Sequence, residues 1–260
     1  MGSEIIQITY LQVALGYIFI LIVLLMIKKR GISREKELVV ASIRMTFQLV
    51  LVGFLLAYII ENPHPIVTFL IVLIMISFSV YTIIHKFKSA LTPALKRIIV
   101  LSMFFGTIPV ILYFLWLVIQ IEPYYNPQYF IPITGMIVGN SMTGISLGVH
   151  TLTKRFTDNK NEIEESLILG ASPKEASSSI LNDSFDAAIL PTLNSMLGMG
   201  IIFLPGMMTG QILSGVSPTL AILYQIAVML GILGGVSVTT YIFLHLGYKT
   251  YFNAQAQLNN

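Results

Sequence analysis

The chain has 260 residues, 55% of them hydrophobic and only 10% charged. Soluble domains carry about 25% charged residues, so the composition excludes a soluble globular protein and marks an integral membrane protein. There is no cysteine, which excludes disulfides and thiolate metal sites, and the net charge of +3 says less than where the charges sit.

The chain begins Met1-Gly2-Ser3-Glu4-Ile5-Ile6. No basic residue precedes the first apolar run and no small-residue cleavage site follows it, so no cleavable signal peptide is expected. The sixth position lacks the serine or threonine of a myristoylation signal. A spanning helix needs about 20 apolar residues. Seven runs qualify, roughly 7–27, 38–60, 66–85, 98–120, 131–150, 187–204 and 219–245. Of the 15 lysines and arginines, 14 lie outside these runs. Lys28, Lys29, Arg30, Arg34 and Lys36 fill the first connection, and Lys86, Lys88, Lys96 and Arg97 fill the third. Lys154, Arg155, Lys160 and Lys174 lie in the fifth, and Lys249 is in the tail. The alternate connections have none, so the positive-inside rule puts the N-terminus outside and the C-terminus inside. Arg44 and Gln48 lie one turn apart in the second run, and Arg44 is close enough to its inner end to snorkel.

The fifth connection, about 151–186, is the one long polar insert. Asn159 is followed three residues on by Glu162, a capping-box pattern that starts a short helix ending near Gly170. Ser172, Pro173 and Glu175 spell a second start, with a capping hydroxyl, a proline at the first helical position and a carboxylate three residues after the cap. Helix, tight turn, helix is the expectation. After the sixth run, Leu204 to Pro218 is apolar but broken by Pro205, Gly206, Gly210 and Gly215. It reads equally as an outer loop or as a re-entrant segment near 205–215.

Two echoes place amides near the bilayer centre: Asn140-Ser141-Met142 in the fifth run and Asn194-Ser195-Met196 in the sixth. They serve either as interhelical hydrogen-bonding glue or as the polar lining of a substrate path. Gly135, Gly139, Gly144 and Gly148 recur at helical spacing and let helices approach closely. Met196, Met199, Met207, Met208 and Met229 fit core filling or soft-metal ligation. Gly144-Ile145-Ser146-Leu147-Gly148 matches the G-x-S-x-G of serine hydrolases, without the strand-to-helix elbow that gives the motif meaning. No G-x-x-x-x-G-K-[ST] is present, so the chain does not bind ATP by a P-loop. No lysine or carboxylate lies deep in a run, which argues against a Schiff base and a proton-coupled carrier.

The polar insert resembles the cytoplasmic loop of ABC-transporter permeases. Glu164, Gly170 and Ile180 keep the importer spacing, with Ser166 in a small-residue position; Glu165 replaces an alanine, and the expected Leu-Pro is displaced to Leu190-Pro191. In that family the loop docks into a groove on the ATPase subunit. Four stretches extend the likeness: Gly139 to Met142, Glu162 to Pro173, Pro191 to Met196, and Leu204 to Pro218. They are similar to the FetB family, bacterial permeases linked to iron export and oxidative-stress resistance, with plant relatives in aluminium tolerance.

The resemblance implies an all-α polytopic permease of about seven transmembrane helices, forming one domain over 1–260 in the plasma membrane. It implies a homodimer in the lipid bilayer, a cytosolic ABC ATPase partner and a small ion or solute as cargo, with no nucleic acid. No cofactor is expected in this chain; ATP and magnesium belong to the ATPase. The coupling residues implied are Glu162, Glu164, Glu165, Gly170, Ala171, Ser172, Pro173 and Glu175. The path candidates are Asn140, Ser141, Asn194, Ser195, Met207, Met208 and Gln211. The residues themselves mark no iron site. A permease for another solute, a stand-alone carrier and an intramembrane serine protease using Ser146 are the alternatives.

Overall fold

The computed structural model describes residues 8–259. Residues 1–7, including Glu4 and the start on which the signal-peptide and myristoylation expectations rest, lie outside the described residues, as does Asn260. The helices are α1 (Tyr10–Gly16), α2 (Ile18–Lys29), α3 (Glu35–Glu61), α4 (Pro65–Lys86), α5 (Pro93–Tyr113), α6 (Pro127–Asp158), α7 (Lys160–Ile168), α8 (Pro173–Ala176), α9 (Ser178–Gly198), α10 (Gly206–Leu213) and α11 (Pro218–Gly247). A π-helical turn, Phe114–Val118, extends α5, and a 3-10 turn, Tyr248–Tyr251, extends α11. No strand forms among the described residues; an isolated bridge pairs Met199 with Phe203.

One local device starts four of the helices. Thr92-Pro93, Asn126-Pro127, Ser172-Pro173 and Ser217-Pro218 each put a side-chain acceptor at the cap and proline at the first helical position. The acceptor satisfies an orphan N–H, and proline has none to leave unsatisfied.

The chain divides into two compact units, Met1–Pro63 with Leu213–Gly215, and His64–Ile212 with Val216–Asn260. In the first, α2 and α3 pack as a hairpin, and the Tyr17 hydroxyl hydrogen-bonds the Thr46 hydroxyl between them. Large apolar side chains such as Phe19, Phe47 and Phe54 are exposed, as suits helices solvated by lipid.

The second unit is a bundle centred on α6. Phe69 meets Phe130 and Phe87 meets His150, so α4 runs parallel to α6. On α11, Gly235 faces Ile137 and Phe243 faces Gly148, so α11 is also parallel to α6. Gly106 faces Thr239 and Gly247 faces Leu95, so α5 runs against α11. The carbonyls of Ala188 and Ser184 face Gly144 and Gly148, so α9 runs against α6. These directions gather Lys86, Lys96, Arg97, Arg155 and Lys249 at one end of the bundle, the end the positive-inside rule assigns to the cytosol.

Six helices are long and apolar enough to cross a membrane: Tyr10–Lys29, Glu35–Glu61, Pro65–Lys86, Pro93–Val118, Pro127–Asp158 and Pro218–Tyr251. This is one fewer than the seven apolar runs, and the difference lies at 187–204. There the helix is α9, which starts earlier, at Ser178, carries Asn182, Asp183 and Asp186 in its first turns, and stops at Gly198. Polar composition removes it from the apolar set, but geometry does not remove the crossing. With α6 and α11 parallel, the chain between them has to return, and α9 is the antiparallel limb. Its 21 residues reach about 31 Å at 1.5 Å per residue.

Candidate functional site

The polar insert forms the helix, turn and helix that its residues predict. After α7 the chain closes a Schellman motif: Gly170 N–H donates to Leu167 O and Ala171 N–H to Ser166 O, both at 3.0 Å. Gly170 sits at φ +94°, the left-handed region this motif demands. Ser172 and Glu175 form the expected capping box, with Glu175 Oε2 accepting from Ser172 N–H at 2.8 Å. These hydrogen bonds, with Lys174 nearby, hold the Glu175 carboxyl below its ordinary range. The Asn159–Glu162 pair does not form the expected capping box. Asn159 caps no N–H with its side chain and instead donates through Nδ2 to Glu162 Oε2 at 2.8 Å, because α6 and α7 meet at a single residue with little room for a separate helix start.

Other loop carboxylates stay at the surface. Glu164 lies 3.8 Å from Lys160, and Glu165 is exposed with its backbone oxygen accepting from Leu169 N–H. Ile163 is buried and anchors α7, while Ile168 and Leu169 are 84% and 87% exposed at the tip just before the turn. A cleft of about 300 Å³ opens between α7 and the start of α9, lined by Asn159, Glu162, Ser166, Glu175 and Ser179 among others. α8 passes into α9 through Ser177, whose hydroxyl donates to Pro173 O at 2.7 Å. Arg155 on α6 and Asp183 on α9 pair at 2.9 Å.

α6, α9, α10 and α11 line a half-open cavity of about 220 Å³, with Asn140 exposed at its edge. Helical spacing delivers its lining: Met136 and Asn140 from α6, Thr192 and Ser195 from α9, Met199 just beyond, Met207 from α10, and Gln225 and Met229 from α11. Asn140 Nδ2 donates to Met136 O at 2.8 Å and Ser195 Oγ to Pro191 O at 2.9 Å, so both side chains use a donor on their own helix. Gln225 is 6% exposed, and its Oε1 has no hydrogen-bond partner. Met136 is about 14 Å, and Gln225 about 10 Å, from the start of its helix. Both starts lie away from the basic end, so the cavity occupies the half of the bundle far from the basic residues.

The path candidates therefore divide. Asn140, Ser195 and Met207 come together in this cavity. Ser141 is buried against α11, where a Cβ on Gly235 would stand 3.2 Å from its Oγ, and that Oγ has no partner. Asn194 is exposed on the opposite side of α9. Met208 is buried outside the cavity lining, and Gln211 is half-buried with an unpartnered Oε1. Sequence reasoning missed Met136, Thr192 and Gln225. Gln225 had a signal, since it is the only amide inside the last apolar run; Met136 had none. The broken segment after α9 folds locally, a form compatible with either an outer loop or a re-entrant segment. It is a tight turn through Gly200 followed by the eight-residue α10, which is too short to span. Ser146 lies within continuous α6 and donates to Met142 O at 2.7 Å, with none of the elbow geometry of a hydrolase nucleophile.

The chain's similarities agree with a transport protein. The model of the family described as "Uncharacterised protein family (UPF0014)" matches residues 10–252. The chain is 32% identical over 249 residues to UPF0014 membrane protein YjkA of Bacillus subtilis, covering 96% of this chain and 98% of that one. It is 33% identical over 252 residues to the probable iron export permease protein FetB of Escherichia coli, covering 97% and 95%. It is 31% identical over 245 residues to Protein ALUMINUM SENSITIVE 3 of Arabidopsis thaliana, covering 94% and 88%. No solved structure matches. A multi-pass helical architecture and a likeness that runs almost end to end place this chain in the UPF0014 family of membrane proteins.

Proposed function

We propose that this chain is the membrane-spanning permease subunit of an ABC transporter that exports iron or another metal ion across the plasma membrane. A separate cytosolic subunit binds ATP with magnesium and hydrolyses it. The observation that carries this reading is the build of the 160–176 loop. A Schellman turn and a capping box fix its shape, and together they hold Ile168 and Leu169 out at the basic end of the bundle. Exposed large apolar residues on an otherwise polar loop suit a protein groove. The cleft beside them carries Glu162 and Glu175 and suits a basic side chain of the ATPase.

α8 leads into α9 through one residue, so motion of the loop is delivered to α9 and thus to Ser195 and Met199 at the cavity. The printed name of the Escherichia coli relative supports a metal cargo. An exposed stripe on α9 supports a homodimer. Leu190, Asn194, Leu197 and Ile201 lie on one exposed stripe of that limb and its extension. An amide facing hydrocarbon is costly, and a second copy would cover it.

The test is co-purification with the ATPase. Gly170→Val forces a β-branched residue to positive φ and should lower the ATPase recovered by about tenfold, the weight of a loss near 1.4 kcal/mol. Undiminished recovery overturns the coupling role. In vesicles holding both subunits, flux of iron or of another metal ion should rise with ATP; equal flux with and without ATP for every metal tried overturns ATP-driven metal export.

A further inference from the structure

We infer that the cavity between α6, α9, α10 and α11 is a binding site for a soft monovalent cation, Cu(I) or its analogue Ag(I), ligated by methionine thioethers. This names a cargo class for the permease proposed above and rests on that reading for its transport meaning. The binding itself is a property of this chain alone.

Four methionines from four parts of the chain converge there: Met136, Met199, Met207 and Met229. Beside them lies Gln225, more than nine-tenths buried, with a carbonyl oxygen that has no hydrogen-bond partner among the described residues. A buried amide oxygen without a donor costs free energy unless a ligand meets it. A filler role explains one methionine in a gap; it does not explain that oxygen.

The donor set decides which ion fits. Among the described residues no group of three or more histidines, cysteines, aspartates or glutamates could hold a metal. The cavity offers thioether sulfur, amide oxygen and hydroxyl oxygen, all uncharged. Thioethers select Cu(I) and similar soft ions, whereas carboxylate and imidazole suit the harder divalent metals. Charge points the same way. The desolvation cost of an ion grows with the square of its charge, and a neutral cavity returns no Coulomb energy to offset it. A monovalent ion is therefore far easier to accept here than Fe(II) or Al(III).

The test uses the purified permease in lipid nanodiscs, without the ATPase, and equilibrium dialysis against Ag(I) or Fe(II). One Ag(I) should bind per chain, and Fe(II) should bind at least tenfold more weakly, about the range that ligand changes produce. Met207→Leu with Met229→Leu conserves volume and should lower Ag(I) affinity about tenfold or more. Met103→Leu, in the core of α5 away from the cavity, should leave it unchanged. Unchanged binding in the double variant, equal loss in Met103→Leu, or Fe(II) binding as tight as Ag(I) overturns the site.

X-ray absorption of the Cu(I)-loaded wild-type protein removes any dependence on variant folding. The chain has no cysteine, so a sulfur shell around copper can only be methionine; a shell of nitrogen and oxygen alone overturns the inference. Failure here leaves ATP-driven transport of another cargo standing. Flux that ignores ATP would sink the transport reading while the bound Ag(I) remained.

Discussion

Gly106 shows how close this bundle is packed. A Cβ placed on it would stand 2.7 Å from the Thr239 Cα, and backbone cannot step aside as a side-chain end can. Gly106→Ala should cost about 2–3 kcal/mol, the upper part of the overpacking range, read as a lower unfolding temperature in detergent. Gly139→Ala should be neutral or slightly stabilising, because nothing lies within 4 Å of its missing Cβ and alanine is the better helix former. The contrast marks what is legible in the sequence at this scale. The four- and five-residue spacing of Gly135, Gly139, Gly144 and Gly148 reads as a packing face, and Gly144 lies against α11. Which of them faces a neighbour depends on helix rotation: a Cβ added to Gly144 would stand 2.8 Å from Val236 Cγ1, while one added to Gly139 would meet nothing within 4 Å. Asn140 and Asn194 look like a matched pair in sequence, yet one lines the cavity and the other faces outward. Their environments come from what packs against each helix, which no local pattern records.

The polar loop 160–176 was the most legible element, since its shape is set by short-range chemistry. Ser172, Pro173 and Glu175 specify a helix start on their own, and Gly170 specifies the stop. Its stability should depend on pH. The folded-state pKa of Glu175 lies below its unfolded value, so the capping stabilisation is fully present above the ordinary carboxylate range and is lost as pH falls through the folded value. Amide exchange at residues 172–176 should therefore speed up on acidification beyond the intrinsic pH effect, and Glu175→Gln should abolish that excess. Ser172→Ala should raise the exchange of the same amides by about fivefold, the weight of a lost cap near 1 kcal/mol. α9 was the least legible element. Hydropathy sees only its apolar second half and runs on to 204, across the turn at Gly200. The polar first half is helical because α6 and α11 flank it and Arg155 pairs with Asp183 at the cytosolic end.

At the scale of the whole molecule, basic and neutral connections alternate along the sequence, and within the larger unit the parallel run of α6 and α11 requires a return limb between them. The proposed pairing of two copies is testable because the natural chain contains no cysteine. Leu197→Cys, 80% exposed on the α9 stripe, should form a disulfide-linked dimer under mild oxidant in native membranes, while Phe54→Cys on α3 should not. The reverse pattern would place the seam elsewhere. One detail of α9 bears on how movement travels. Pro191 stands about two-thirds of the way from Ser178 to Gly198. Having no N–H, it leaves the Ala187 carbonyl without its usual intrahelical donor, so the hydrogen-bond ladder of α9 has a gap between its polar first half and the face it lends to the cavity. A missing backbone bond is the place where a helix bends at least cost, so if the proposed coupling holds, bending at Pro191 would reorient Ser195 and Met199.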